Sequence, residues 1–318
     1  MASIDAGPAL LLVVYIITFV AGLPLNVLAF VMLIRKFRQK LLSIDILLFN
    51  LTVSDLLLLV FLPFRMVEAA SGMKWPMPYI FCPLSTFMYF SSIYITSLIL
   101  MVISVERYLT VAFPIKYELL KKPRYSIVGS VCVLIIVAIN CSPVFLINFL
   151  PHEEENKINN SVCYSHFSPA QIRVLLPIRL ELFLLLFCIP FLVTSFCCIN
   201  FVRIMVTQFQ IRRRRKLRAI GMMVTTFINF IVCFLPYNVS HVVGFIQGET
   251  PRWRNYALLL STFNALVDPV IFYFCSVTFQ KMILEALEDV SLVIRLAFSI
   301  QNDLYKNLWQ LCTLENPN

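Results

Sequence analysis

The stretch VLLPIRLELFLLLFCIPFLVTSFCCINF, residues 174 to 201, is apolar enough to cross a bilayer, yet it carries Arg179 and Glu181 near its start. An arginine at the centre of a membrane helix costs about 2.5 to 3.5 kcal/mol on insertion scales, so charges inside membranes face interior cavities and mark function. Two more side chains are placed to act with Arg179. His241 lies one helical turn beyond Tyr237, and Arg254 stands at the head of the last apolar run. The planar arginine fork offers two parallel donors and stays charged at any physiological pH, which suits a carboxylate. Histidine and tyrosine add donors at the flank, and Phe90, Tyr94 and Phe145 are nominated for an apolar floor. Simpler roles compete with this one. Arg254 follows TPRW at a membrane boundary and could reach into lipid headgroups, and His241 could be an ordinary interface residue. Glu181, two residues from Arg179, belongs to a different helix face, which weakens a self-contained ion pair.

Such side chains need a frame that holds them in lipid. Hydrophobic residues make up 60% and charged residues 14% of 318, too oily for a soluble domain and typical of a multi-span membrane protein. Apolar runs long enough to span fall near 9 to 34, 44 to 67, 80 to 112, 125 to 149, 173 to 206, 217 to 246 and 254 to 275. The expected fold is all-α, a bundle of seven transmembrane helices in one domain over residues 1 to 288, with a tail over 289 to 318. Pro24, Pro190, Pro236 and Pro269 lie inside spans, which membrane helices tolerate because neighbours satisfy the freed carbonyls.

Basic residues crowd three alternate loops, RKFRQK, KYELLKKPR and QIRRRRKLR, while the opposite side has the acidic run Glu153, Glu154 and Glu155. The amino terminus is therefore expected outside and the carboxyl terminus in the cytoplasm. Residues 1 to 8 have no basic leader or cleavage site, so the first run reads as a retained anchor. The net charge of +9 is a cytoplasmic collar facing anionic lipid, with no role in binding nucleic acid. Of ten cysteines, Cys82 and Cys163 lie on the exterior side, the one that permits a stable bridge, and are expected to pair. Asn159, in NNS, is an exterior glycosylation sequon, whereas NLT at Asn50 and NVS at Asn238 lie inside spans. Three histidines without metal-ligand spacing give no transition-metal site, and no nucleophile and base pair supports an enzyme.

Motifs at the span ends narrow the class. SVERYL places Glu106, Arg107 and Tyr108 at the cytoplasmic end of the third span, where an acid and an arginine can pair and then separate as a partner inserts. GLPLNVLAF carries Asn26, NLTVSDLLLLVFLPF carries Asp55, CFLPYNVSH carries Phe234 and Pro236, and NALVDPVIFYF carries Asp268 and Pro269. Together these resemble the rhodopsin-like G protein-coupled receptors over the chain to about residue 285. LPIRLEL, PYNVSHVVG, FLPFRMVEAA, SSIY, SVERYL and TFNALVDP are similar to the short-chain branch of the free fatty acid receptors.

That resemblance implies a plasma-membrane receptor that binds acetate, propionate or butyrate from outside and activates heterotrimeric G proteins of the inhibitory Gi/o class inside. It implies ligand contacts from Arg179, Arg254, His241 and Tyr237, and coupling roles for Glu106, Arg107, Tyr108, Phe234, Pro236, Asp268 and Pro269. It also implies a sodium ion as allosteric modulator around Asp55, Thr96, Asn264 and Asp268, against the plainer reading of a hydrogen-bond network that includes Asn26. The chain departs from the family pattern at three places. Asn140 stands where the short-chain receptors carry a fourth-span histidine, Leu134 replaces a tryptophan, and CYSHF, with Ser165 and His166, lacks an acid after the cysteine. The tail is more apolar than expected and could form a short amphipathic cytoplasmic helix, with Cys312 as a lipidation site. Rival readings are a receptor for hydroxy acids or succinate and, from another class, a proton-coupled carboxylate transporter using Asp55, Asp268 and Arg179, against which the lack of an inverted repeat counts.

Overall fold

The computed structural model describes residues 6–39, 41–120, 122–147, 163–164, 167–208, 211–275 and 280. Asn159, His166, Cys312, the expected tail helix and the expected boundary near residue 288 lie outside the described residues. Two compact units are distinguished, Met1–Ile271 and Phe272–Asn318, and the bundle with its cavities belongs to the first.

Every regular element among the described residues is helical. The long ones are α1 (Ala6–Phe37), α2 (Ser43–Ala70) and α3 (Phe81–Ala112), followed by the short α4 (Pro114–Leu120). The fourth span is α5 (Pro123–Cys141) continued by α6 (Pro143–Leu146), and the fifth is α7 (Pro169–Leu182), a π-helical turn (Phe183–Cys188) and α8 (Ile189–Thr207). α9 (Arg213–Gln247) and α10 (Arg254–Cys275) complete the set. Among the described residues six helices, counting the fourth and fifth spans as one each, are long and apolar enough to cross a membrane. α10, the seventh, has 22 residues and is about 33 Å long, enough for the hydrocarbon core. Its polar residues Arg254, Asn264 and Asp268 are turned inward and buried.

α3 is the central post. Its most apolar window is 78% buried, against 28% for α1, and it packs on α2, α5, α8 and α9. The outer faces of α1, α5 and α8 expose Val20, Ile139 and Leu192, as helices bathed in lipid should.

The prolines show how the bundle is tied together. Proline removes one backbone donor and frees the carbonyl about one turn earlier. Behind Pro190 that carbonyl is Leu186, which accepts from Ser97 Oγ on α3 at 3.3 Å, and the helix relaxes there into the π-turn. Beside the carbonyl that Pro236 frees, at Val232, the next carbonyl, Cys233, accepts from Ser261 Oγ at 2.7 Å. Behind Pro269 the Ala265 carbonyl accepts from Asn26 Nδ2 at 2.7 Å. Pro63 and Pro177 also lie inside helices. At the far end of α3, a disulfide joins Cys82 to Cys163 in the segment before α7, the pair expected from the sequence.

Candidate carboxylate site

α7 begins with a capping box. The Gln171 N–H donates to Ser168 Oγ at 3.3 Å, the Ser168 N–H donates to Gln171 Oε1 at 3.0 Å, and Pro169 opens the first turn. Gln171 Nε2 also donates to the Ile147 carbonyl at 3.1 Å, tying α7 to the end of α6. About two turns on, Arg179 points inward and is 3% exposed, while Glu181 faces out and is exposed. Arg179 Nη1 donates to Thr250 Oγ1 at 2.9 Å, its guanidinium lies 5.3 Å from the Phe167 ring centroid, and its buried Nη2 has no hydrogen-bond partner.

Thr250 arrives there through two glycines. Gly248 ends α9 at φ 71°, in the left-handed region that glycine enters without strain. At Gly244 a side chain would meet the Glu249 carbonyl at 3.0 Å and Pro251 Cδ at 3.1 Å, so any larger residue would push the turn back by a few tenths of an ångström. The same turn starts α10 at Arg254, which is 5% exposed. Arg254 Nη2 donates to the Tyr237 hydroxyl at 2.9 Å, and its guanidinium stacks 5.4 Å from the Phe90 ring and 5.1 Å from the Tyr237 ring. It does not reach toward headgroups. His241 is buried, with Nε2 and the Tyr94 hydroxyl 3.1 Å apart and its ring 4.7 Å from that of Tyr237. The Nε of Arg254 and the Nδ1 of His241 are also buried without partners.

Arg179, Arg254, His241, Tyr237, Tyr94, Phe90 and Asn140 line one cavity, closed by Cys141, Val144, Leu175 and Leu182. It is small, with about 20 Å³ for the centre of a water-sized group. Asn140 is half-buried and donates from Nδ2 to the Ile136 carbonyl at 2.8 Å. Phe145, nominated for the floor, is not in the wall. It is 37% exposed and packs against Phe87, ring centroids 5.1 Å apart and planes tilted. Pro143 restarts the helix at this point, and with Val144 turned inward the next residue faces out by about 100°. Neither buried arginine pairs with a carboxylate among the described residues. Two desolvated cations around one cavity, held only by hydroxyls and aromatic faces, leave an electrostatic deficit that an anion would fill.

Some residues of this region carry no signal in the sequence. Thr250, Phe167 and Tyr164 are loop residues whose closeness to Arg179 depends on the glycine turn and on the disulfide. Arg65 and Glu68 stand in FLPFRMVEAA without an assigned role, and the structure shows a largely buried pair with Nη1 and Oε2 2.7 Å apart. Arg65 Nη2 donates to Thr86 Oγ1 at 2.7 Å, and its guanidinium lies 5.6 Å from the Tyr89 ring. Their three-residue spacing on one helix is the signal that could have found them.

Deeper in the bundle, Asn264 Nδ2 donates to Asp268 Oδ2 at 2.8 Å. Asn229, which no motif singles out, donates to Asn264 Oδ1 at 2.6 Å and Asp268 Oδ1 at 3.2 Å. Asp55 is buried within electrostatic reach of Asp268, and on the adjoining face of α2 the Ser54 hydroxyl lies 3.5 Å from that of Thr96 on α3. Among the described residues no three His, Cys, Asp or Glu side chains gather as ligands for a transition metal.

At the opposite end of α3 a cleft of about 380 Å³ opens between Glu106, Arg107, Thr110, Phe201, Met205 and Arg215. Glu106 Oε1 accepts from the Tyr117 hydroxyl at 2.5 Å. Tyr108 packs edge-on against Phe196 at 5.7 Å, next to the cluster of Cys197, Phe201 and Met223. Phe234 is buried one turn from Phe230, their rings 5.4 Å apart, just before the Pro236 kink.

Comparison with known proteins places this arrangement. The family described as "7 transmembrane receptor (rhodopsin family)" matches residues 9–272. Free fatty acid receptor 3 of Rattus norvegicus is 48% identical over 268 residues, covering 83% of this chain and 82% of the relative. The chain belongs to the free fatty acid receptor family. Free fatty acid receptor 2 of Rattus norvegicus is 45% identical over 274 residues, 86% of this chain and 83% of the relative. Free fatty acid receptor 1 of Mesocricetus auratus is 30% identical over 278 residues, 83% and 91% respectively. The receptor is thus a multi-pass protein of the plasma membrane with the rhodopsin-like seven-helix fold, and not an enzyme.

Proposed function

We propose that the receptor binds short-chain fatty acids, with acetate, propionate and butyrate as its class, between Arg179 and Arg254, and that it activates inhibitory Gi/o heterotrimers at the Arg107 cleft. One observation carries the ligand: two buried guanidiniums and a buried imidazole each hold an unpartnered nitrogen around a single small cavity. The relatives, free fatty acid receptors 3 and 2, support the same class. The disulfide end would face outward and the arginine-rich end the cytoplasm, as the basic loops ask.

In this reading the carboxylate takes Arg179 Nη2 and the Arg254 edge, with His241 at its flank. The tail lies in the same cavity, against Phe90 and Tyr164. Propionate has about five heavy atoms, and the best tiny ligands gain about 1.5 kcal/mol per atom, so binding cannot exceed about 7.5 kcal/mol, low micromolar at best. A methylene adds only about 0.8 kcal/mol, so the charge contact dominates. A sodium ion as allosteric partner would be held in the deeper group by the two buried carboxylates, Asp55 and Asp268, which lie within mutual electrostatic reach and offer the hard oxygen donors such a cation takes.

The test is nucleotide exchange in receptor-bearing membranes against acetate, propionate, butyrate, lactate and succinate. Exchange driven by the three short acids supports the reading. A preference for lactate or succinate replaces the ligand, and uptake of acid without exchange marks a transporter.

A further inference from the structure

A second cavity lies directly behind the first. It is bounded by Leu11 and Tyr15 on α1, by Arg65, Glu68 and Ala69 on α2, and by Leu258 on α10, and offers about 40 Å³ against about 20 Å³ in the carboxylate cavity. Phe90, Tyr164 and Arg254 line both. An acid held by Arg254 therefore stands at the junction of two spaces, and the two aromatic rings are what separates them.

The rings are not equivalent. Phe90 is buried in the middle of α3, stacked on Tyr237 at 6.1 Å and under the Arg254 guanidinium, so it belongs to the clamp. Tyr164 comes from the loop. It follows the bridged Cys163, sits at φ 54°, a left-handed conformation uncommon for a bulky residue, and packs 5.7 Å from Phe90 and 4.9 Å from Phe167. A covalent neighbour on one side and two ring contacts on the other fix a side chain whose own backbone would prefer to be elsewhere.

We propose that Tyr164 is the partition that sets the longest acid the receptor accepts, and that the cavity behind it is a latent subsite for a longer acyl tail. This rests on the short-acid reading above and says why that reading stops at short acids. The Arg65–Glu68 pair closes on itself at the far side of the cavity, so it is neutral as a unit and does not draw the carboxylate away from Arg179. Leu11, Ala69 and Leu258, all buried, offer the tail an apolar wall. Each methylene moved from water onto such a wall tightens binding about fourfold, so three more carbons are worth on the order of 50-fold.

The experiment is a dose–response series of straight-chain acids from two to eight carbons, normalised to surface level, on the wild type, Tyr164→Gly, Tyr164→Phe and the double variant Tyr164→Gly with Ala69→Leu. Glycine adopts the left-handed backbone freely, so removing the ring there does not strain the loop. The readout is the potency of hexanoate relative to propionate. Tyr164→Gly raises that ratio on the order of 50-fold, Tyr164→Phe keeps the wild-type ratio, and Ala69→Leu, which refills the space, cancels the gain. If Tyr164→Gly reaches the surface poorly, Tyr164→Leu shortens the partition instead and gives a smaller rise. Parallel loss of potency for every acid, or an unchanged ratio in Tyr164→Gly, overturns the partition while leaving the short-acid reading intact. A wild type deaf to propionate and butyrate overturns the short-acid reading itself.

Discussion

At one end of the helices Arg179, His241 and Arg254 crowd around about 20 Å³ of enclosed space. At the other, about 25 Å along α3, Glu106, Arg107 and Arg215 rim a cleft of about 380 Å³. The first places buried cations against aromatic faces, so in the proposed reading affinity depends on one charge contact and size is limited by walls. The second has an apolar lining from Phe201 and Met205 and an acid already occupied by Tyr117, a surface shaped for a macromolecule. In the proposed reading the two ends hold different partners through different contacts and are linked only through the bundle between them. A substitution at one end should therefore change binding of its own partner far more than binding of the other.

The largest expected effect tests that separation directly. Arg107→Ala should abolish nucleotide exchange while labelled propionate still binds; loss of binding with exchange intact would reverse the two ends. Next, Arg179→Ala or Arg254→Ala should cost about 3 to 5 kcal/mol, at least a hundredfold in propionate potency at equal surface level, and Arg→Lys should fail as well because lysine lacks the fork. An Arg179→Ala receptor with wild-type potency would make this arginine structural. Cys163→Ser removes the bridge that holds Tyr164 and Phe167 near the clamp, with a cost of about 2 to 4 kcal/mol, seen as lower surface level and a weakened acid response; a fully responsive variant breaks the link between loop and site. Smallest, Ser168→Ala removes the cap of α7 and should lower stability by about 1 kcal/mol, measured as a modest fall in thermal midpoint with the order of acid potencies unchanged.

How much of this is legible in the sequence depends on where each signal comes from. Arg179 and Arg254 stand out because a charge in an apolar run has few explanations, and the spans stand out because lipid demands length and apolarity over the whole run. The Cys82–Cys163 bridge follows from which side of the membrane permits one. Phe145 is misplaced because one residue of phase after Pro143 decides inward or outward, and composition carries no phase through a break. Thr250, Phe167 and Tyr164 are invisible for another reason: their closeness to the clamp comes from Gly244, Gly248 and the bridge acting at long range. Asn229 gives no signal because its partners, Asn264 and Asp268, belong to another helix.

The prolines of α8, α9 and α10 have a mechanical consequence. At Pro190 and Pro269 the freed carbonyl takes a donor from a neighbouring helix, Ser97 serving Leu186 and Asn26 serving Ala265, and one residue past the carbonyl freed by Pro236, Ser261 serves Cys233. A bond inside a helix resists only the unwinding of that helix, whereas these three resist relative sliding, each at one point and through one bond. The bundle therefore has three discrete joints, each a single hydrogen bond between helices, so relative motion of these helices is resisted at points and not along their whole length.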